Sequence, residues 1–306
     1  MLDQIQQRLL EEVADLHQVP EGAYNIRANG AMAARNTTAN IDIITKEDKS
    51  GIDIKIKDGT QKESVHIPVV LSQSGQKETV YNDFYIGENC DVTIVAGCGI
   101  HNCGTQDSEH DGIHRFFVGK NSKVKYVEKH YGEGDGDGKR ILNPQTEVYQ
   151  EENSYVEMEM VQIKGVDSTV RTNKAELAAG ATLVVHERLL THGQQEATSE
   201  YQVALNGEES SADIISRSVA RGNSVQKFEA CIEGNTVCHG HAECDAIIMD
   251  HARVIAVPKL DANDVDANLL HEAAIGKIAG EQLIKLMTLG LEEEEAEQWI
   301  INGFLK

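Results

Sequence analysis

The stretch GCGIHNCGTQDSEHDGIHRF, residues 97–116, places two cysteines and three histidines within one short segment. Thiolates and imidazoles are common protein ligands of zinc, copper and iron. The segment is therefore a candidate metal site, and its candidate ligands are Cys98, His101, Cys103, His110 and His114.

The local backbone decides whether the two cysteines can share an ion. In a straight strand Cys98 and Cys103 face opposite sides, because successive side chains alternate between the two faces. The glycines at Gly97, Gly99 and Gly104 favour a turn, which would let Cys98, His101 and Cys103 bend around one metal. A turn is therefore the expected conformation here.

The two later histidines are four residues apart, so His110 and His114 share a face if that piece forms one helical turn. The spacing of the whole segment is not a standard zinc signature. A metal-binding protein with a structural zinc or a metalloenzyme centre at residues 98–114 is one function that these residues leave open.

A second group of ligand types lies in VCHGHAEC, residues 237–244. Cys238 and Cys244 are separated by more than the two to four residues of a zinc knuckle. By composition alone Cys244 is a buried core cysteine. Cys238 and His239 are accessory candidates.

Two loops imitate ligand-binding motifs. YGEGDGDGKR, residues 131–140, has Glu133 and Arg140 where a phosphate-binding loop needs Gly and Ser or Thr, so it is predicted to be a flexible loop. DANDVDAN, residues 261–268, lacks the central Gly and the final Glu of a calcium loop. No other nucleotide-binding signature is present, so ATP hydrolysis is expected only from a partner.

The middle of the chain contains sequence repeats, which predict the elements that position these residues. FYIGENCDVTIV, FFVGKNSKVKYV and VYQEENSYVEME align without gaps at offsets of 32 residues, beginning at residues 84, 116 and 148. Further copies occupy 175–186, 203–214 and 228–239.

Each copy consists of a strand, a tight polar turn with Gly or Asn, and a second strand. Gly and Asn suit a corner that needs positive φ. A period in this range indicates stacked coils, and two strands per repeat without a helix predict a β-helix-like solenoid. A Greek-key β-sandwich is the alternative, and the gap-free repeats favour the solenoid.

Helices are predicted at both ends. An apolar stripe recurs at three- and four-residue intervals through residues 2–16, and Pro20 ends it. Residues 280–290 and 291–304 predict two more helices, separated by Gly290. The predicted organisation is an N-terminal helix (1–20), a β-helix core (21–270) and a C-terminal helical segment (271–306).

The composition excludes several function classes. The formal net charge of the 306 residues is -22, which opposes binding to nucleic acid. No apolar run approaches the roughly 20 residues of a membrane-spanning helix, and the acidic N-terminus does not resemble a signal peptide. We therefore expect a cytoplasmic protein whose six cysteines are reduced thiols and that binds neither nucleic acid nor membranes.

The last quarter of the chain resembles the SufB/SufD family, the scaffold components of the SUF iron–sulfur cluster assembly system. The stretches that carry the resemblance, in the order and spacing of the family, are AECDAIIM (242–249), HEAAIGKI (271–278), GEQLIKLMTLGL (280–291) and EEEAEQWIINGF (293–304). The resemblance implies a mainly β chain: a right-handed parallel β-helix-like solenoid with short N-terminal and C-terminal helical segments.

The resemblance also implies an iron–sulfur assembly scaffold that binds sulfur or iron and is not itself an enzyme. Cys244 falls on the functional cysteine of the SufB branch, and His271 and Glu272 fall on its HEA motif, so a compact SufB-like member is expected. In a strand, His271 and Glu272 would face opposite sides. The expected cargo is a transient iron–sulfur cluster, with iron or zinc as further candidate metals.

The resemblance further implies partners. These are an ABC-type ATPase subunit of the SUF system, a sulfur donor protein, and a second copy of the chain in a homodimer that could serve both the B and the D role. The C-terminal helices match the part of the family that contacts the ATPase. The expected docking residues are Gly276, Lys277, Ile278, Glu281, Gln282 and Leu283.

Overall fold

The computed structural model of the protein describes residues 2–17 and 20–306. Met1, Gln18 and Val19, which the sequence analysis assigns to the N-terminal helical segment, lie outside the described residues. The described chain forms three helices, α1 (Gln4–Ala14), α2 (Gly280–Thr288) and α3 (Glu293–Phe304), with all of its strands between the first and the second.

The strands of the first half are β1 (Ala23–Ala28), β2 (Ala31–Asn36), β3 (Ile41–Thr45), β4 (Gly51–Ile56), β5 (Gln61–Leu71), β6 (Lys77–Ile86), β7 (Asp91–His101), β8 (Ser108–Val118), β9 (Lys123–Glu133), β10 (Arg140–Leu142) and β11 (Gln145–Gln150). Those of the second half are β12 (Tyr155–Lys164), β13 (Ser168–Leu177), β14 (Thr182–Thr191), β15 (Glu196–Leu205), β16 (Ser210–Ala220), β17 (Val225–Gly234), β18 (Cys238–Ile248), β19 (Arg253–Ala262) and β20 (Ala267–Gly276).

The strands form two sheets between which the chain alternates. The first sheet has the order β2-β1-β5-β7-β9-β12-β14-β16-β18-β20, and the second has the order β19-β17-β15-β13-β10-β8-β6-β4-β3, with β11 also between β13 and β8. Apart from the β1–β2 and β3–β4 pairs, neighbouring strands are parallel. The result is a parallel β-solenoid of about eight coils, which confirms the predicted fold class and excludes the sandwich.

The corners of the coils have the predicted backbone conformation. Asn89, Asn121 and Asn153 occupy the same position in three successive repeats and have φ values of 56°, 58° and 57°. The Asn121 amide donates to Asn89 Oδ1 at 3.4 Å, so the corners stack as a ladder. Asparagine tolerates this left-handed conformation better than most residues.

Aliphatic and aromatic side chains fill the space between the sheets. Repeat-related residues stack on one another, as in the Phe84 and Phe116 rings, whose centroids are 4.5 Å apart. Burial of such apolar surface stabilises each coil against the next, at roughly 25 cal/mol per Å². A single continuous core therefore joins the coils from β3 to β18.

The segment 97–116 does not form the turn and the helical turn that the sequence analysis expects. Strand β7 continues through His101, and β8 contains both His110 and His114. The glycines in β7 have another purpose: α1 lies on the outside of the first sheet, where a Cβ on Gly97 would come within 2.4 Å of the Val13 carbonyl oxygen. Gly97 is therefore needed for the close approach of α1.

The glycine-rich stretch 131–140 also differs from the predicted flexible loop. Its glycines lie flat against the turn that follows β7: Gly136 N–H donates to the Asn102 carbonyl at 3.2 Å, and Gly138 N–H to the Gly104 carbonyl at 3.0 Å. A Cβ on Gly136 would meet the Gly104 carbonyl oxygen at 2.3 Å. Glycine thus permits the two turns to stack.

The C-terminal part begins later than position 271. Strand β20 extends to Gly276 because its ladder with β18 continues that far, and helix α2 starts at Gly280. Helices α2 and α3 have the predicted positions, with Gly290 between them at φ 98°. Within the described part of the chain, no helix is both long enough and apolar enough to cross a membrane.

Candidate functional site

Cys244 faces the interior of the solenoid, one strand away from its last strand. It lies in β18 between Ser216 of β16 and Ala273 of β20, and only 1% of its surface is exposed. The parallel register aligns it with residues of the preceding coils in a single row across the first sheet, which we call the interior row. This row consists of Ala96, Glu128, Met160, Glu187, Ser216, Cys244 and Ala273.

The interior row includes two buried carboxylates, those of Glu128 and Glu187. Arg171 reaches it from the opposite sheet, forms an ion pair with Glu128, and places its Nε 3.8 Å from Glu187 Oε1. Glu187 also accepts hydrogen bonds from the Ser216 hydroxyl at 2.7 Å and the Tyr201 hydroxyl at 3.2 Å. Buried charges require such partners, because isolated ones are strongly destabilising.

The interior row alters the ionisation of its members. Although burial opposes its charge, Glu128 has a pKa well below its usual range because of the neighbouring Arg171 guanidinium. Burial, and then the charge of Glu187, raise the pKa of the Cys244 thiol to about 12. Cys244 is therefore a neutral thiol near pH 7 unless a cation displaces its proton.

His271 and Glu272 face opposite sides of β20, as the sequence analysis expects for adjacent strand residues. His271 pairs with Ala242 and faces the interior, two positions from the residue opposite Cys244, and its buried Nδ1 has no hydrogen-bond partner. Glu272 pairs with Glu243 and faces outwards. Cys244 and His271 thus share the interior, whereas Glu272 belongs to the outer surface.

Glu272 joins an outer group of metal-type ligands. Atoms of His241, Glu243 and Glu272 all lie within 4.8 Å of one another. His241 Nδ1 is 2.8 Å from Asp213 Oδ1, and its Nε2 is 3.5 Å from Glu272 Oε2. An imidazole oriented by a carboxylate is a frequent arrangement around divalent metals, and His241 also borders an open groove that contains His239.

The other accessory candidate is remote from Cys244. Cys238 is fully buried on the same interior face of β18, six residues earlier. At about 3.3 Å per strand residue, the two sulfurs are separated by roughly 20 Å. Cys238 and Cys244 therefore do not share a ligand site within one chain.

The five ligand candidates of residues 98–114 do not gather around one point. Cys98, His110 and His114 face the interior, whereas His101 and Cys103 lie at the outer surface. Among the described residues, none of the five belongs to a group of three donors within 4.8 Å. The structure does not support a joint metal site here, because β7 ends and the chain turns outward between Cys98 and Cys103.

The three interior candidates line a small cavity of about 10 Å³ at the beginning of the solenoid. His110 Nδ1 lies 3.0 Å from Glu78 Oε1, which gives this histidine a structural partner. His114 Nδ1 is buried without a hydrogen-bond partner, and burial lowers the pKa of His114 to about 4. These side chains form part of a polar lining and do not converge on one point.

A further group of donors is occupied by a lysine. Cys231, Glu233 and Asp261 lie close together on the outer surface, and Lys259 Nζ is 2.9 Å from Asp261 Oδ2. The ammonium group already supplies the positive charge that the carboxylates attract. This cluster therefore needs no metal ion.

The C-terminal helices present apolar side chains to solvent. In α2, which buries none of its residues, Ile284 is 63% and Met287 is 42% exposed. Trp299 of α3 is 67% exposed. Exposed apolar residues in such a group are typical of a surface that binds another protein. Of the docking candidates, Glu281, Gln282 and Leu283 lie in α2, and Gly276, Lys277 and Ile278 precede it.

Sequence reasoning missed Glu187, Ser216 and Glu243, and it did not select His241 from the ligand types in VCHGHAEC. Glu187 and Ser216 appear as polar residues at positions where the strand alternation predicts burial, and this signal could have found them. The outer group depends on the register between β16, β18 and β20, which no motif expresses.

Comparison with known proteins agrees with this architecture. The family described as "SUF system FeS cluster assembly, SufBD core domain" matches residues 69–304. The chain belongs to the SufBD family. Its members function in iron–sulfur cluster assembly, and the match includes the interior row, the outer group and both C-terminal helices.

Relatives of this SufBD chain occur in archaea. The "Iron-sulfur cluster assembly SufBD family protein" of Archaeoglobus fulgidus is 30% identical over 264 residues, which cover 85% of this chain and 69% of the relative. A protein of the same description from Methanocaldococcus jannaschii is 28% identical over 266 residues, covering 85% and 83%. One from Pyrococcus horikoshii is 26% identical over 289 residues, covering 88% and 82%.

Proposed function

We propose that this SufBD chain is an assembly scaffold that holds iron and sulfur through Cys244 while a cluster forms. The observation that carries the proposal is the position of Cys244 in the interior row, one strand before the open last coil. A thiolate is the ligand that iron–sulfur clusters prefer. His271, on the next strand, offers an imidazole from the same interior space.

The charges near Cys244 favour a cation. Two buried carboxylates, Glu128 and Glu187, face one buried guanidinium, that of Arg171. An iron ion bound by Cys244 would displace the thiol proton, and at a distance of two strands from Glu187 it would partly compensate this imbalance. Metal binding to a thiol releases a proton, so the occupancy of this site should increase with pH.

Reconstitution with ferrous iron and inorganic sulfide under anaerobic conditions tests this role. We expect wild-type protein to develop iron–sulfur absorption and the Cys244→Ala variant to lose most of its bound iron. The matched control is Cys238→Ala, which removes a buried thiol from the same face of the same strand roughly 20 Å away.

The outcome separates two interpretations. Loss of iron in Cys244→Ala but not in Cys238→Ala supports a ligand role, because both variants create a similar small cavity. Equal iron and sulfide contents in wild type and Cys244→Ala would show that Cys244 is not a ligand.

The proposed scaffold acts as a homodimer joined at its last coil. Strands β19 and β20 are the terminal strands of the two sheets, and each has only one neighbouring strand. Their outer surfaces expose Val257 to 43% and Leu270 to 51%. An uncovered strand edge with apolar neighbours readily pairs with another chain, and a second copy would place its own β20 near His271.

The proposed energy source is an ABC-type ATPase that docks on α2 and α3. This follows from the unpartnered apolar surface of the two helices and from the match of the SufBD family through residue 304. ATP hydrolysis then belongs to the partner, and the scaffold does not catalyse a complete reaction itself. Sulfur is expected to arrive from a donor protein.

A further inference from the structure

Cys103 forms a hydrogen-bonded triad with His101 and Glu133 on the outer surface. The Cys103 Sγ lies 3.1 Å from His101 Nε2, and His101 Nδ1 lies 2.9 Å from Glu133 Oε1. A thiol, an imidazole and an orienting carboxylate in this order are the parts of an activated nucleophile. Nothing in the Cys244 site requires this arrangement.

The triad is held by the regular part of the fold. His101 and Glu133 are the last residues of β7 and β9 and are register partners in the parallel ladder. Glu133 is additionally held by Arg8 of α1 and accepts a hydrogen bond from the Tyr131 hydroxyl at 3.2 Å. The carboxylate that orients the imidazole is thus fixed by two further partners from two elements.

The turn that carries Cys103 is equally fixed. The buried Asn102 side chain donates to the Gln106 carbonyl at 2.8 Å and accepts from the Gly104 N–H at 3.1 Å. The glycine-rich stretch 131–140 lies on the other side of this turn and brings Asp135 to the Cys103 thiol, a contact that lowers the pKa of the Asp135 carboxyl. The thiol therefore has a defined position.

Accessibility distinguishes Cys103 from the other five cysteines. Cys103 is exposed, Cys231 is half-buried, and the remaining four are buried. A nucleophilic thiol must be reachable by its electrophile, and the side chains of His101 and Glu133 are 15% and 17% exposed. The base and its orienting group are thus shielded from water while the sulfur is open.

We propose that Cys103, with His101 as its base and Glu133 as the positioning residue of that base, accepts sulfane sulfur from a persulfide. The choice of a persulfide as the electrophile rests on the proposed assembly function. Cys103 is here the entry point for sulfur, and it is distinct from Cys244, which holds iron.

The transfer balances without any added oxidant or reductant. His101 Nε2 takes the thiol proton, and the Cys103 thiolate attacks the outer sulfur of the donor persulfide, R–S–SH. A bond forms between Sγ and that sulfur, and the S–S bond of the donor breaks. The departing thiolate, R–S⁻, takes up the proton from His101, so the products are the Cys103 persulfide and R–SH.

Asp135 and His101 should have opposite effects on the reactivity of the Cys103 thiol. Its carboxylate lies beside the thiol and opposes the negative charge that develops on sulfur, whereas His101 favours it. Removal of the two neighbours should therefore change the reaction rate in opposite directions. A merely structural role of the turn predicts no such opposition.

The test measures sulfur uptake by mass spectrometry under anaerobic conditions. Reduced full-length protein is mixed either with glutathione persulfide or with a cysteine desulfurase charged with L-cysteine as a protein-borne persulfide. We expect one added sulfur on Cys103, and the faster arm identifies the kind of donor. The control Cys231→Ser, which alters the half-buried thiol, should react like wild type.

Variants of His101 and Asp135 test whether His101 acts as the base. A free thiol is only a few per cent ionised at pH 7, so His101→Gln, which keeps a hydrogen-bonding group beside Glu133, should slow the uptake about tenfold or more. Asp135→Asn should accelerate it. Alkylation of Cys103 by iodoacetamide gives an independent readout, and the loss of His101 should slow it.

Failure of this proposal is distinguishable from failure of the proposed function. Inorganic sulfide needs no persulfide acceptor, so the iron content of the reconstituted protein reports on Cys244 and not on Cys103. Unchanged sulfur uptake by Cys103→Ser, or an unchanged rate in His101→Gln with the wild-type circular dichroism spectrum, would overturn the triad. Sulfur on Cys103 that depends on His101 supports it.

Discussion

Burial sets the protonation state of His114 inside the solenoid. The His114 ring is stacked on Phe84, with ring centroids 6.1 Å apart, and lies equally far from Tyr126. Burial is the main cause that lowers its pKa to about 4, and the charges of His110, His130 and Arg171 act in the same direction, whereas Glu128 opposes them. The imidazole is therefore neutral in the folded protein.

This depressed pKa predicts an acid-sensitive stability. The unfolded chain protonates His114 near pH 6.5 but the folded chain only near pH 4, so its contribution is complete above pH 6.5 and is lost as the pH falls towards 4. The difference amounts to about 3 kcal/mol. His114→Phe, which keeps a stacked ring, should flatten the unfolding free energy measured by urea titration between pH 6.5 and 4.

An exposed histidine serves as the control for this measurement. His239→Phe alters an outward-facing ring and should leave the acid limb unchanged. If the pH dependence of stability were the same in wild type and in His114→Phe, the acid sensitivity would have to come from other groups.

Among the secondary-structure elements, α2 buries none of its residues, and α3 buries only Ala296 and Ile301. The apolar residues of these helices that face solvent contribute little to folding, so substitutions of them should affect partners more than stability. Ile284 and Trp299 are the clearest members, at 63% and 67% exposure.

The docking of the ATPase can be tested on these two residues. We expect the double variant Ile284→Asp/Trp299→Ala to lose co-purification with the cognate ABC-type ATPase while keeping its helical circular dichroism. The matched control Ile163→Asp/Val170→Ala changes comparably exposed apolar residues of the solenoid wall. Retention of the complex by the helix variant would exclude α2 and α3 as the docking site.

Elements that arise from local sequence patterns could be predicted, whereas features that arise from long-range contacts could not. The repeats predict coils and positive-φ corners because each copy repeats the same local chemistry, and Asn89, Asn121 and Asn153 have the expected conformation. The turn predicted at Gly97 was wrong, because glycine is needed there for the packing of α1, which comes from a distant part of the sequence. Long-range contacts of this kind leave no local pattern.

The site residues follow the same rule. A family motif indicates Cys244, His271 and Glu272, and strand alternation correctly predicts that the last two diverge. The ion pair of Glu128 with Arg171 joins opposite sheets, and the triad of Cys103 joins the ends of different coils. Such contacts depend on the register of the whole solenoid and could not be inferred from spacing.

For the whole molecule, the open last coil predicts self-association. We expect sedimentation velocity to show a dimer for wild type and a monomer for Val257→Lys/Leu270→Lys, since two lysines on the terminal strands discourage edge pairing. The matched control Val170→Lys/Ile163→Lys adds the same charge at similarly exposed positions on other strands and should remain dimeric. A control that dissociates equally would indicate a general charge effect instead.

The stacking of the coils also fixes the distance between the strands that carry Cys98 and Cys244. From β7, which carries Cys98, to β18, which carries Cys244, there are five strand-to-strand steps within the first sheet. At about 4.8 Å each, these steps separate the two strands by roughly 24 Å. Each coil contributes one strand to this sheet, so the separation between the two strands can change only by insertion or deletion of whole coils.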